Sequence, residues 1–191
     1  MVFFKSLSTI LLILFPLLSY AYGTPTTVND GFRLGNLSLT RVSADEFVVK
    51  DTQENIDFLN SVISGFSAYS DNGFVTIGNG QCVSLTKALS NVASPTSNWI
   101  KGVNANNRFN VPLYTPVATF FDNGGHPSVN YGNNNFSHTG IIVMFDRDGF
   151  YMLQQNSSGY AGNPVGKMVV KFMSGSGDHQ SNANNYFVIN R

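Results

Sequence analysis

The chain contains a single cysteine, Cys82, in the stretch GNGQCVSLTKAL. One cysteine cannot form an internal disulfide, so the fold has to hold without the cross-link that exported domains commonly use. The thiol is then an inert buried group, one half of an intermolecular bridge, or a reactive group retained for its chemistry. The position of Cys82 and the side chains that accompany it decide among these three alternatives.

The first 23 residues have the pattern of a secretory signal peptide. Lys5 precedes a short apolar run, Ser6–Leu18, and small residues follow at cleavage spacing. The run is too short for a typical membrane-spanning helix, and no later stretch is apolar for long enough to cross a bilayer. We therefore expect a signal peptide over residues 1–23 and a secreted or periplasmic protein with no membrane span after signal removal.

Residues 24–191 have the length of one domain, and their composition narrows the partners. The chain carries 11 basic and 11 acidic residues, and the leader removes only Lys5, which leaves a net charge of −1. A charge near zero without basic clusters argues against nucleic acid or an anionic membrane surface as a partner. The 16 Phe and 8 Tyr argue against a disordered chain.

Hydrophobic periodicity divides the chain into a helical first half and a strand-rich second half. It predicts a helix over residues 52–66 and another from Cys82 to about residue 91, separated by a glycine-rich loop, DNGFVTIGNGQ. Residues 93–112 are predicted to be mainly loop. Five later segments have the composition of strands: YTPVATFF, HTGIIVMF, FYMLQQN, KMVVKFM and NNYFVIN. This order predicts an α+β domain with N-terminal helices packed on an antiparallel meander.

Cys82 is predicted to lie in the first turn of the second helix. Leu85 and Leu89 share its face and pull the thiol inward. The positive end of the helix dipole and the unpaired N–H groups there can lower a cysteine pKa. Gly78 and Gly80 are expected to leave room for a substrate backbone. This position favours a catalytic thiol over an inert one.

A nucleophilic thiol needs a base, and His138 is the best placed of the three histidines. It begins the strand HTGIIVMF, whereas His126 and His179 lie in loops where a solvated side chain is the simpler interpretation. An orienting partner should come from the next strand, which supplies Gln154, Gln155 and Asn156. Alternation puts Gln155 on the opposite face from the other two, and the sequence leaves open which face matches His138.

These segments together resemble the papain-like cysteine amidohydrolases of the CHAP and NlpC type, which cut amide bonds in peptidoglycan. GQCVSLTKAL, NWIKG, PVATFFDNG, SHTGIIVMF and MLQQN are similar to successive motifs of those families. The chain most resembles small bacterial amidases related to type VI amidase effectors, whose likeness also includes the tail NNYFVI. The resemblance covers residues 75–191, a catalytic core, and leaves 24–74 as an N-terminal extension of a single papain-like domain.

The resemblance implies Cys82 as nucleophile, His138 as base and Gln154 as orienting residue. Ser137 replaces the usual glycine before the histidine. Gln154 replaces the usual carboxylate, and a neutral amide orients an imidazole without adding charge, so reduced activity or a shifted pH optimum is expected. The implied partner is peptidoglycan or a related peptide, with a protein inhibitor as a further partner to test for.

Three functions follow as hypotheses. The first is a cysteine amidase or endopeptidase acting on peptidoglycan stem peptides, with no metal or other cofactor, since one cysteine and scattered histidines do not make a zinc site. The second is a catalytically weak or inactive papain-fold module that binds cell-wall glycan or peptide. The third is a covalent dimer joined through Cys82.

Overall fold

A computed structural model describes residues 34–92, 95–155 and 166–190. The predicted signal peptide and Asn156 lie outside these ranges. The described residues form two α-helices, α1 (Gln53–Val62) and α2 (Cys82–Leu89), and a two-stranded hairpin, β3 (Ala68–Asp71) and β4 (Phe74–Ile77). The other eight strands form one sheet: β1 (Leu39–Arg41), β2 (Glu46–Val49), β5 (Ile100–Asn104), β6 (Pro116–Thr119), β7 (Thr139–Asp146), β8 (Gly149–Gln155), β9 (Met168–Ser174) and β10 (Tyr186–Asn190).

The large sheet has the strand order β1-β2-β9-β8-β7-β6-β10-β5, and its paired strands are antiparallel. Its centre is the meander β7-β8-β9, whose first hairpin turns at Arg147 and Asp148. The predicted mixed architecture, a large antiparallel sheet with two helices, is therefore confirmed. Within the described ranges, no helix combines the length and the apolar character that a membrane crossing requires.

The first helix is shorter than predicted. Its N-cap is Thr52, whose hydroxyl accepts a hydrogen bond from the backbone of Asn55, as a helix start requires. It ends at Val62 because Ile63 adopts an extended conformation and Gly65 follows with a φ of 72°. Ile63 and Phe66 still pack against the core, but from the connecting segment rather than from a helix.

Two segments predicted as loop contain strands. In DNGFVTIGNGQ, Asn72 and Gly73 both have positive φ, 51° and 80°, which makes the tight turn between β3 and β4. An Asn-Gly pair is the preferred sequence for this kind of hairpin turn, so the local signal was present. The second segment, 93–112, contains β5, which pairs with β10 at the edge of the sheet.

Helix α2 packs on the central strands and so places Cys82 beside the start of β7. Leu85 and Leu89 are fully buried in one cluster with Ile141 of β7 and Leu153 of β8. Burial of a leucine side chain contributes roughly 1.5–3 kcal/mol, so this contact anchors the helix. Leu37, Val49 and Leu59 belong to the same cluster, so residues preceding position 75 share this core.

Candidate active site

Cys82 is the first residue of α2 and is buried. The preceding turn is held by Asn79, whose side-chain oxygen accepts hydrogen bonds from the backbone of Gln81 (3.1 Å) and from the Ser84 hydroxyl (2.6 Å). These bonds bring the chain from the end of β4 into the helix over only four residues. The cysteine is therefore held by the local geometry of the turn.

The two glycines of this turn serve its backbone conformation. Gly78 and Gly80 have φ values of 60° and 77°, which side-chain-bearing residues rarely adopt. A Cβ at Gly78 would also lie 2.8 Å from the ring of Phe66. The turn itself therefore requires these glycines, and the expectation that they leave room for a substrate stays a prediction.

Gln155, on β8, hydrogen-bonds the backbone at both ends of the turn that precedes Cys82 and so clamps that turn. Its side-chain oxygen accepts from the backbone N–H of Ile77 (3.1 Å), and its amide donates to the carbonyl oxygens of Ile77 (2.8 Å) and Gln81 (2.7 Å). The side chain is fully buried. Gln155 therefore ties the sheet to the residue immediately before Cys82.

His138 contacts Gln154. The ring Nε2 lies 2.6 Å from the side-chain oxygen of Gln154, and both residues are buried. Because a carbonyl oxygen can only accept, Nε2 carries the hydrogen and Nδ1 is the acceptor. The backbone N–H of His138 donates to the Thr119 hydroxyl at 2.8 Å, and its carbonyl accepts from Thr119 N–H at 2.9 Å, so β6 holds the main chain.

A bulge in the β7-β8 hairpin decides that Gln154 rather than Gln155 faces His138. Met144 pairs with Tyr151 but Ile142 pairs with Met152, so Val143 is an extra residue on β7. Beyond the bulge, Ile141 is opposite Leu153, which puts Gln154 on the face of His138 and Gln155 on the face of α2. Without the extra residue the two glutamines would exchange faces.

The amide nitrogen of Gln154 has no hydrogen-bond partner in the described part of the chain, although it is buried. The side-chain oxygen of Gln154 is the atom that contacts the imidazole.

The Tyr131 hydroxyl contacts the Cys82 sulfur, a contact that the sequence did not predict. Its ring is buried between aromatic neighbours, with centroids 5.0 Å from Trp99 and 6.1 Å from Phe120. The hydroxyl and the backbone of Thr139, the residue after His138, both hydrogen-bond the sulfur. Burial raises the pKa of Tyr131 well above its usual value, so the phenol keeps its proton and stays a donor.

Burial holds the resting site in its neutral form. It raises the pKa of the Cys82 thiol, and hydrogen bonds from Thr139, Val83 and Tyr131 act in the opposite direction without reversing it. Burial likewise lowers the pKa of His138 to about 4, the Gln154 hydrogen bond opposes this, and the charge of Lys171 adds to the lowering. The sequence expectation of a lowered thiol pKa at the helix start is therefore wrong, because loss of water outweighs the hydrogen bonds.

Cys82 and His138 line one cavity of about 610 Å³. Gln81, Val83 and Tyr131 also line it, as do Asn133–Asn135 and Gln180. A second cavity, of about 540 Å³, surrounds the turn at the far end of β7 and β8 and contains neither cysteine nor histidine. Nowhere in residues 34–92, 95–155 and 166–190 do three His, Cys, Asp or Glu side chains group as a metal site would require.

The other two histidines lie in loops, as expected. His126 is 78% exposed in its side chain and pairs with Asp122 at 3.3 Å. His179 is not simply solvated, since its ring lies 4.6 Å from that of Phe121 and 5.0 Å from that of Phe136. The next residue, Gln180, donates to the Asn135 carbonyl, so this loop supports the cavity wall.

Sequence reasoning missed Tyr131 and the clamping role of Gln155. Tyr131 lies in the Gly/Asn-rich loop between β6 and β7, where nothing in the local pattern distinguishes it. Gln155 was one of three candidates for the histidine partner, and only the strand register assigns it to the turn before Cys82 instead.

Comparison with known proteins gives a family. The model of "Domesticated amidase effector 2" (Dae2) matches residues 55–189, which includes α1 from its third residue onward and every residue of the site described above. A solved structure of type 6 secretion amidase effector 2 (Tae2) is 23% identical over 59% of this chain and 81% of that chain, with a TM-score of 0.43. The chain has no significant match among curated proteins. Because the family model spans well over half of the sequence, the chain belongs to the domesticated amidase effector 2 family.

Proposed function

We propose that the chain is an exported cysteine amidase that hydrolyses amide bonds in the stem peptides of peptidoglycan. One observation carries the proposal: in a member of an amidase-effector family, Cys82 and His138, 56 positions apart, line the same cavity. The papain-like character of the fold and the export of the chain belong to the same proposal.

In the first half of the reaction Cys82 forms an acyl-enzyme. Its sulfur attacks the amide carbonyl carbon while Nδ1 of His138 takes the thiol proton. Backbone N–H groups in the first turn of α2 stabilise the oxyanion. The carbon–nitrogen bond then breaks, and His138 returns the proton to the leaving amine. A thioester remains on Cys82.

In the second half water releases the product. Nδ1 of His138 takes a proton from water, the hydroxide attacks the thioester carbon, and the carbon–sulfur bond breaks. The proton returns to the sulfur and a free carboxyl product leaves. Throughout, Gln154 holds the Nε2–H end of the ring and Tyr131 donates a hydrogen bond to the sulfur whenever it carries charge.

The neutral resting site supports general-base activation of the thiol over a preformed thiolate–imidazolium pair. A raised thiol pKa and an imidazole pKa of about 4 both disfavour the charged pair. Gln154, unlike a carboxylate, does not stabilise an imidazolium by charge. Deprotonation of Cys82 is therefore coupled to attack on the substrate.

The neutral protonation state of the site also favours a second candidate, a papain-fold module that binds cell-wall glycan or peptide with little or no turnover. A buried neutral thiol, and an imidazole held by a neutral amide, are what a site with lost activity would also have. The Asn-rich wall of the cavity supplies amide groups that suit either ligand.

Turnover of purified sacculi distinguishes these candidates. The wild-type protein should release new amino groups and soluble fragments, whereas Cys82→Ala and His138→Ala should release neither. The matched control is His126→Ala, which removes an exposed histidine away from the cavity and should keep activity. Equal release by wild type and Cys82→Ala contradicts the amidase proposal, and retained binding of sacculi by both would then favour the binding module.

A further inference from the structure

The cavity that contains Cys82 and His138 has an uneven charge distribution. Among the described residues that line it, Lys87 alone carries a fixed charge, and no aspartate or glutamate is present. The other polar lining groups are amides and hydroxyls. A cavity with one cation and no acid favours a ligand with negative charge.

Lys87 lies on the same helix as the candidate nucleophile. It follows Cys82 by five residues, an axial distance of about 7.5 Å at 1.5 Å per residue. Val83, four residues before Lys87 on the same helical face, also lines the cavity. An extended peptide covers about 3.3 Å per residue, so Lys87 is about two residues from a carbonyl held at Cys82.

The ammonium group of Lys87 has no acidic partner in the described ranges. The ion pairs found there join His126 to Asp122, Arg147 to Asp148, and Lys167 to Glu46. Lys87 is only partly exposed, and two other polar side chains that line the cavity, Ser84 and Asn79, are bonded to each other. Its charge is therefore available to a ligand in the cavity.

We propose that Lys87 binds a free carboxylate of the substrate, about two residues from the amide that is cut. The inference rests on the proposed function and specifies its substrate class: a peptide with an anionic group on one side of the scissile bond. A charge-assisted hydrogen bond at a partly exposed site should change affinity about threefold to tenfold.

Lys87 has a simpler structural role that the test must separate. It lies in the last turn of α2, where a cation stabilises the helix by interacting with its dipole. That role would change the stability of the fold, but it would not make the protein distinguish an acid from its amide.

The experiment measures binding in the Cys82→Ala background, where turnover cannot interfere. The probes are a synthetic stem tetrapeptide with free carboxylates and the same peptide with every carboxylate amidated. Cys82→Ala is compared with Cys82→Ala/Lys87→Met, and Cys82→Ala/Lys50→Met is the control because Lys50 is exposed and does not line the cavity. Thermal unfolding of each protein reports the helix-dipole effect separately.

We expect Lys87→Met to weaken binding of the acid peptide threefold to tenfold and to leave binding of the amidated peptide unchanged. Lys50→Met should alter neither. Equal weakening for both peptides, no weakening, or no binding of the acid peptide to Cys82→Ala overturns the proposal. A Lys87-dependent preference for the acid in a protein that fails to cut sacculi would refute the amidase function and keep the carboxylate site.

Discussion

The burial of His138 predicts a pH-dependent loss of stability. Its pKa is about 4 in the folded protein against an ordinary value of 6.5. The folded state therefore binds the proton less tightly than the unfolded state. The resulting stability is complete above pH 6.5 and decreases as the pH falls toward 4. At about 1.4 kcal/mol per pH unit of difference, the contribution of His138 to the free energy of unfolding should fall by about 2 kcal/mol between pH 7.5 and 5, and by about 3 kcal/mol between pH 7.5 and 4.

Urea unfolding at pH 7.5, 6, 5 and 4 tests this for wild type, His138→Gln and His126→Gln. His138→Gln removes the buried imidazole, so its free energy of unfolding should fall by about 2 kcal/mol less than that of wild type between pH 7.5 and 5. His126→Gln should follow wild type, since His138 is intact. A difference between the variants in the free energy of unfolding at pH 7.5 does not affect the test, because only the change of that free energy with pH is compared. Parallel pH dependences for wild type and His138→Gln would refute the reasoning that burial keeps the imidazole neutral.

Three further predictions concern the residues around the two candidate catalytic groups. Tyr131→Phe removes the hydroxyl that contacts the sulfur, so alkylation of Cys82 by iodoacetamide should need a higher pH. The kcat should fall about tenfold with KM nearly unchanged. An unaltered pH profile of alkylation would contradict this contact. Gln154→Glu puts a carboxylate beside His138, so the acid limb of the kcat/KM profile should move to higher pH, and a fixed limb would argue against His138 as the base. Gln155→Leu deletes three hydrogen bonds, so urea unfolding should show a loss of about 3 kcal/mol; a loss below 1 kcal/mol would mean that the clamp is weak.

Most of the secondary structure could be predicted because its signals are local. Apolar spacing located α1 and α2, and β-branched runs located β6–β10. The errors have local causes as well. The β3-β4 hairpin was missed although Asn72-Gly73 is a strong turn signal, and α1 was extended too far because Ile63 and Phe66 keep helical spacing while packing from a non-helical segment.

The sequence by itself determined the candidates: one thiol at a helix start, one histidine at a strand start, and a polar run on the next strand. Only the tertiary structure decided how they are used. The extra residue Val143 turns Gln154 toward the histidine and Gln155 toward the cysteine turn, and a one-residue shift of this kind leaves no trace in a hydrophobic pattern. The protonation states of Cys82 and His138 could not be predicted from the sequence either, because a pKa depends on how completely residues distant in the chain exclude water.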